Sequence, residues 1–322
     1  MRENNKIITR VGGVKRDVSL DAGAGILMMI VITLHSSLLS SEPFSLMHFF
    51  SFFMPWFFYK SGMFHKENER ITQNVLIKYF KRLGIPYLFV VLSMGVLKFN
   101  TIPFDKSIIT IAAYLYNVSP LKWFLEALLI TNILLLVIPK RWPILLLSLL
   151  LSFVISDILD RHFLSLPYLI REVPNAMIYM IAGYLLKEMQ YKYNRLSGLG
   201  VIAVLYLLFI FIYPSKVDMR LQQIMYGSFE IAVIGNIVGI VLFNNSLKIV
   251  ERFIPQCMIY LGRNSFAYYV LHIPIIVVLG LINTNFDFQI PQILFPIVVL
   301  LLVPPIIYIT KKLRMSFVIG VN

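Results

Sequence analysis

The stretch Leu20-Asp21-Ala22-Gly23-Ala24-Gly25-Ile26-Leu27-Met28-Met29-Ile30-Val31-Ile32-Thr33-Leu34-His35 decides how this chain is to be read. It is apolar for most of its length and ends on an ionisable ring. A bilayer span takes about 20 mainly apolar residues, so the run and its neighbours are long enough to cross. An ionisable group inside a span is costly. It usually faces the protein interior or a wet cavity and marks a functional site. A second histidine, His272, lies in a similar apolar run near the other end of the chain. These two rings are the first candidates for chemistry.

The rest of the sequence agrees with that class. Of 322 residues, 58% are hydrophobic and 14% are charged, and the mean hydropathy is +0.79. A water-soluble domain of this size could not hide so much apolar surface. Ten apolar segments are read as helices, at about 19–39, 45–63, 83–98, 121–138, 142–158, 173–187, 196–214, 224–243, 264–283 and 289–310. The expectation is an all-α, polytopic integral membrane protein with about ten transmembrane helices. Ile108–Tyr116 is too short to span and reads as a re-entrant or interfacial helix. The first run is long and has no clear cleavage site, so it reads as an uncleaved span rather than a signal peptide. No internal repeat stands out. Residues 1–322 read as one transmembrane domain, with a basic segment at 1–18 and a tail at 311–322.

Charge sets the orientation. The chain carries 29 lysines and arginines and a net charge of +13. With the N-terminus inside, 21 of the 29 fall on inside segments and seven on outside loops, while Lys60 lies within a span. The positive-inside rule then makes both termini cytoplasmic. The same distribution explains the charge without a nucleic-acid partner. One cysteine, Cys257, excludes an intrachain disulfide and a cysteine-based metal cluster, and no metal site is expected. There is no Walker loop, no His-Glu-x-x-His and no Gly-x-Ser-x-Gly, so triad hydrolysis has no support.

Other charges enter or border the spans. Lys60, in Tyr59-Lys60-Ser61-Gly62, reads either as a lysine snorkelling to the inner surface or as a phosphate ligand. Gly62 would let another backbone or a ligand approach closely. Lys78, Lys81 and Arg82 share one helix face at the start of span 3. They suit either anionic lipid or a phosphorylated ligand. Arg263 would lie at the inner face and His272 deeper in the same segment, with an interhelical hydrogen bond as the bland reading of His272. Glu126 and Arg171 sit at the outer ends of spans 4 and 6. Glu230 and Asn236 lie within span 8 and read as pairing with neighbours.

Four ordered stretches together resemble the membrane acyltransferase 3 family, the bacterial O-acetyltransferases that decorate surface glycans. They are Leu20-Asp21 through Gly25 to His35; Met54-Pro55-Trp56-Phe57-Phe58 followed by Ser61-Gly62; the basic start of span 3 ending in Arg82-Leu83-Gly84-Ile85-Pro86-Tyr87; and Leu261-Gly262-Arg263-Asn264-Ser265 ending in Leu271-His272-Ile273-Pro274. Trp123-Phe124-Leu125 and Ile181-Ala182-Gly183-Tyr184-Leu185-Leu186 add to the match. One departure stands: Ala24 occupies a position where many members have arginine, so either Lys15 or Arg16 serves from a turn away, or Lys60 or the span 3 cluster makes the donor contact.

The resemblance implies an acyl-CoA donor reached from the cytoplasm, with acetyl-CoA as the default, and no permanently bound cofactor. It implies a carbohydrate hydroxyl as acceptor and a place in the inner (plasma) membrane among its lipids. Oligomeric state, including a homo-oligomer, is left open. In that reading His35 is the general base, because neutral imidazole can take a hydroxyl proton near neutral pH. His272 orients the reaction or stabilises the oxyanion. Lys60, Lys78, Lys81, Arg82 and Arg263 hold the donor's phosphates, and Asp21, Glu126 and Arg171 contact the acceptor. A transporter lined by Lys60, Glu230 and His35, and a non-catalytic scaffold, are the rival classes.

Overall fold

The structure, a computed structural model, describes residues 10–11, 14–15, 17–36, 50–67, 69, 71–99, 107, 122–163, 167–187, 196–212, 215–217, 224–226, 228–285 and 290–321. It is helical apart from two short hairpins, Arg10–Val11 with Val14–Lys15 and Ser215–Val217 with Ile224–Tyr226. The helices are α1 (Val18–His35), α2 (Phe53–Met63), α3 (Gln73–Leu97), α4 (Lys122–Val137), α5 (Trp142–His162), α6 (Tyr168–Leu186), α7 (Leu196–Ile212), α8 (Phe229–Ile249), α9 (Gln256–Arg263), α10 (Ser265–Asn285) and α11 (Phe295–Lys312). Six of these stretches are long and apolar enough to cross a membrane: α1, α3, most of α5, α8, α10 and α11 with the turn before it.

Helix α1 is the centre. It starts at Asp17, whose carboxylate accepts from the backbone N–H groups of Ser19 and Leu20. Capping of this kind satisfies donors that no earlier turn can reach. Of the apolar window in α1, 67% is buried, against 11% in α5. A helix apolar on every side and buried on most of them belongs inside a bundle, and one equally apolar but bare belongs against lipid. Around α1 pack α8, α9, α10 and α11, and α6 lies against α2, α4 and α5. Phe124 of α4 joins the two groups. Its ring lies 5.2 Å from that of Phe58 in α2 and 4.6 Å from that of Tyr269 in α10.

Backbone meets backbone at two crossings. A methyl group on Gly62 would land on the carbonyl of Met180, and one on Gly183 on the carbonyl of Tyr59. Gly25 and Gly262 bring α1 and α9 together in the same way, against Met258 and Asp21. Small residues at crossings are how membrane helices gain close packing. Ser61-Gly62 therefore admits a neighbouring helix backbone.

Several boundaries differ from the sequence reading. Helix α3 starts at Gln73, ten residues early, because Thr72 caps it and its lysines are good helix formers. A π turn over Phe80–Gly84 precedes Pro86, which has no N–H to offer the carbonyl four residues back. Ile224–Tyr226 is a strand rather than the start of a span. The segment holding Arg263 and His272 is broken at Asn264, so the two residues sit on separate helices. The C-terminal residues fold back as a 3-10 turn, Ser316–Ile319, with Ile319 buried. Residues 45–49 of the second expected span and the Ile108–Tyr116 stretch lie outside the described residues.

Candidate active site

His35 closes the last turn of α1, and His272 lies a little more than two turns into α10. Their ring centroids are 4.9 Å apart, edge to face at 71°. Helices that are distant in sequence thus present two imidazoles to each other. The hydrogen bonds of each ring decide its tautomer. His35 Nδ1 donates to the carbonyl of Val31 at 2.8 Å. His272 Nδ1 donates to the carbonyls of Tyr269 at 2.7 Å and Tyr268 at 3.2 Å. A carbonyl can only accept, so the proton is on Nδ1 in both neutral rings and the lone pair is on Nε2. His272 Nε2 is buried and has no hydrogen-bond partner among the described residues.

The two rings differ in access. His272 is fully buried, whereas His35 is partly exposed. Tyr269 flanks His272 at 5.6 Å between centroids. The aromatic chain Phe58–Phe124–Tyr269 thus ends on His272 and fixes it from behind. His35 is the more accessible of the two rings.

The expected cations divide into two groups. Arg263 Nε lies 3.3 Å from the Asp21 carboxylate, which is itself buried. Lys60 donates to the carbonyl of Leu20 at 3.2 Å and lies 5.1 Å over the Trp56 ring. Asp21, Lys60 and Arg263 therefore tie α1, α2 and α9 together at the start of α1. An α1 of 18 residues is about 27 Å long, which sets Asp21 far from His35. Lys78, Lys81 and Arg82 form the second group. They are exposed, and with Asn74 and Ile77 they line a cleft of about 400 Å³ whose other wall is Phe317 and Gly320. Among the described residues no carboxylate lies within ion-pair distance of these three cations.

Glu126 lies just past the first turn of α4 and Arg171 in the first turn of α6, two helices that pack together. Glu230 pairs with Arg161 at 3.5 Å. Asn236 accepts from Ser51 at 2.8 Å and donates to Tyr179 at 3.3 Å. Both follow the bland reading.

Sequence reasoning passed over two buried polar groups. Asn175, one turn along α6 from Arg171, is fully buried, and neither end of its amide has a partner among the described residues. His65, just past α2, is also buried. Its Nε2 and the Ser61 hydroxyl both donate to Asn132 Oδ1, at 2.9 and 3.0 Å. Burial pushes the His65 pKa below the usual imidazole value, against the opposing effect of the Asn132 bond. Asn175 is an uncharged amide inside the sixth expected span, a weaker signal than an ionisable group, and His65 lies in the polar turn after the second.

A family model described as an acyltransferase domain matches residues 17–311, nearly the whole chain. No curated protein and no solved structure matches it.

Proposed function

Because the chain belongs to the acyltransferase 3 family, we propose that it is an integral-membrane O-acyltransferase moving an acetyl group from cytoplasmic acetyl-CoA to a hydroxyl of a cell-surface or lipid-linked carbohydrate. The observation that carries this reading is the pair of facing imidazoles, each with Nδ1–H tied to its own helix and Nε2 left with a lone pair. Two acceptors cannot bond to each other. A group that brings a proton completes them, and a sugar hydroxyl is such a group.

In the proposed step, the acceptor hydroxyl donates to His35 Nε2 and its oxygen attacks the thioester carbonyl carbon. His35 takes the hydroxyl proton as the carbon–oxygen bond forms. The tetrahedral intermediate then expels the thiolate, and the imidazolium returns the proton to sulfur. Free CoA and an acetyl ester are the products. The C-terminal carbonyls of α1 complement the charge that His35 gains in between. His272, held by Tyr269 and its own helix, positions the partner ring and the acceptor. Arg171 and Glu126, with Asn175 beside Arg171, offer polar contacts to the sugar. Ten spans with both termini in the cytoplasm of an inner (plasma) membrane put the basic residues on the donor side.

The donor's phosphates belong in the cleft of Lys78, Lys81 and Arg82. Arg263 and Lys60 already serve α1, whereas the cleft cations have no carboxylate partner among the described residues, and guanidinium binds phosphate through paired hydrogen bonds. Ala24 is fully buried in the core, so donor contacts in this chain fall to α3. Changing Lys78, Lys81 and Arg82 together to glutamine is expected to weaken acetyl-CoA binding by about 10²-fold, since each charge is worth about 1 kcal/mol or more at such a surface. The wild-type affinity should fall as salt is raised, and the variant's should not. Titration of purified protein at two ionic strengths checks both.

Mass spectrometry of surface glycan from cells with and without the gene tests the whole reading. A loss of one acetyl mass in the deletion supports it. An unchanged glycan, together with substrate flux in donor-free proteoliposomes, would instead favour transport.

A further inference from the structure

The C-terminal segment is a built wall of the basic cleft. After α11 ends at Lys312, Arg314 takes a positive φ of 56° and the chain turns back. The 3-10 turn Ser316–Ile319 follows, closed by a bond from Val321 N–H to the Ser316 carbonyl at 2.9 Å. Gly320 has φ 68°, a conformation that side chains resist, and a methyl group there would run into the ring of Phe266 on α10. Ile319 is 1% exposed. The turn is therefore pinned against α3 and α10.

Phe317 is treated differently. The residue is 48% exposed, although it lies two residues from buried Ile319. It faces the cleft that holds Lys78, Lys81 and Arg82. A pinned turn thus presents an open aromatic face beside three cations that have no carboxylate partner among the described residues. A nucleotide carries the matching parts, a π-face and phosphates. Base stacking on an aromatic ring is favourable and tolerant of geometry. A cleft of about 400 Å³ falls within the range that takes small-molecule ligands.

We propose that Phe317 stacks on the adenine of acyl-CoA while Lys78, Lys81 and Arg82 hold its phosphates, so that the docked C-terminal turn selects coenzyme A over shorter thioesters. This rests on the acyl-CoA donor reading above. Ile77, on the α3 wall, covers the other side of the base. The segment is then a specificity element for the donor.

The test compares two donors on the purified full chain. S-acetyl-CoA carries adenosine, and S-acetyl-4′-phosphopantetheine lacks it. In Phe317→Ala the Kd for acetyl-CoA is expected to rise about tenfold, while that for acetyl-phosphopantetheine stays at the wild-type value. Phe317→Tyr should restore acetyl-CoA binding. The unchanged phosphopantetheine titration also reports that the variant is folded. Equal shifts for both donors, or no shift for either, would overturn the stacking role. Wild-type protein that binds neither thioester, or whose cleft cations answer only to anionic lipid vesicles, would overturn the donor reading and this inference with it.

Discussion

A His35→Ala protein is expected to insert, fold and bind acetyl-CoA as the parent does, and to lose acyl transfer by a factor of about 10²–10⁴ or to below detection. General-base removal has that magnitude. The structural cost should be small. The His35 side chain is partly exposed, and its hydrogen bond goes back to its own helix at Val31. His272 differs on both counts. It is fully buried, packs on Tyr269 and bonds to two carbonyls. Its alanine variant should therefore lose stability as well as activity, and His272→Gln is the cleaner probe of its role. Groups that act as one unit lose activity non-additively. If the two rings work on the same proton, the double variant should be no slower than the slower single one. The assay is transfer of labelled acetyl from acetyl-CoA into membrane or surface carbohydrate, with donor binding measured in parallel. Full transfer by His35→Ala would remove the imidazole pair from the mechanism and leave the scaffold or transport readings standing.

The sequence carried this site unevenly, for physical reasons. His35 and His272 stood out because hydrocarbon makes any ionisable ring expensive, and that cost shows in one dimension. Their convergence did not show, since it depends on how α10 packs on α1. The Asp21–Arg263 pair was hidden for the same reason. Each was read as touching a ligand; the fold also pairs them with each other across 242 positions. Helix starts were misplaced wherever polar residues continue a helix, as in Gln73–Lys78, because hydropathy marks the hydrocarbon boundary and capping marks the helix boundary. The break at Asn264 is a local backbone turn with no Pro to announce it. The C-terminal turn was read as a tail because its anchors, buried Ile319 and Gly320 against Phe266, are long-range contacts.

Gly62→Val is expected to destroy the folded protein while leaving nothing catalytic altered. At Gly62 the obstacle is the carbonyl of Met180, and at Gly183 it is the carbonyl of Tyr59. Both are backbone, so no side chain can rotate away and α2 and α6 must separate. Separation opens a seam lined by Tyr59, Tyr179 and Met180, all of which are fully buried. It also pulls Ser61 and His65 from Asn132. Overpacking alone costs about 1–3 kcal/mol, and the lost contacts on both helices add to it. That is a large share of the roughly 5–15 kcal/mol that holds a typical fold. Gly280 supplies the control, since a methyl group there meets nothing within 4 Å. Gly280→Val should melt within a few degrees of the parent, while Gly62→Val should aggregate or melt far lower by size exclusion in detergent after heating. The comparison also separates the two readings of Ser61-Gly62. If the glycine served ligand approach, valine would weaken acetyl-CoA binding in a protein that still melts normally. If it serves the helix crossing, the melting temperature collapses, and whatever protein survives binds donor with unchanged affinity.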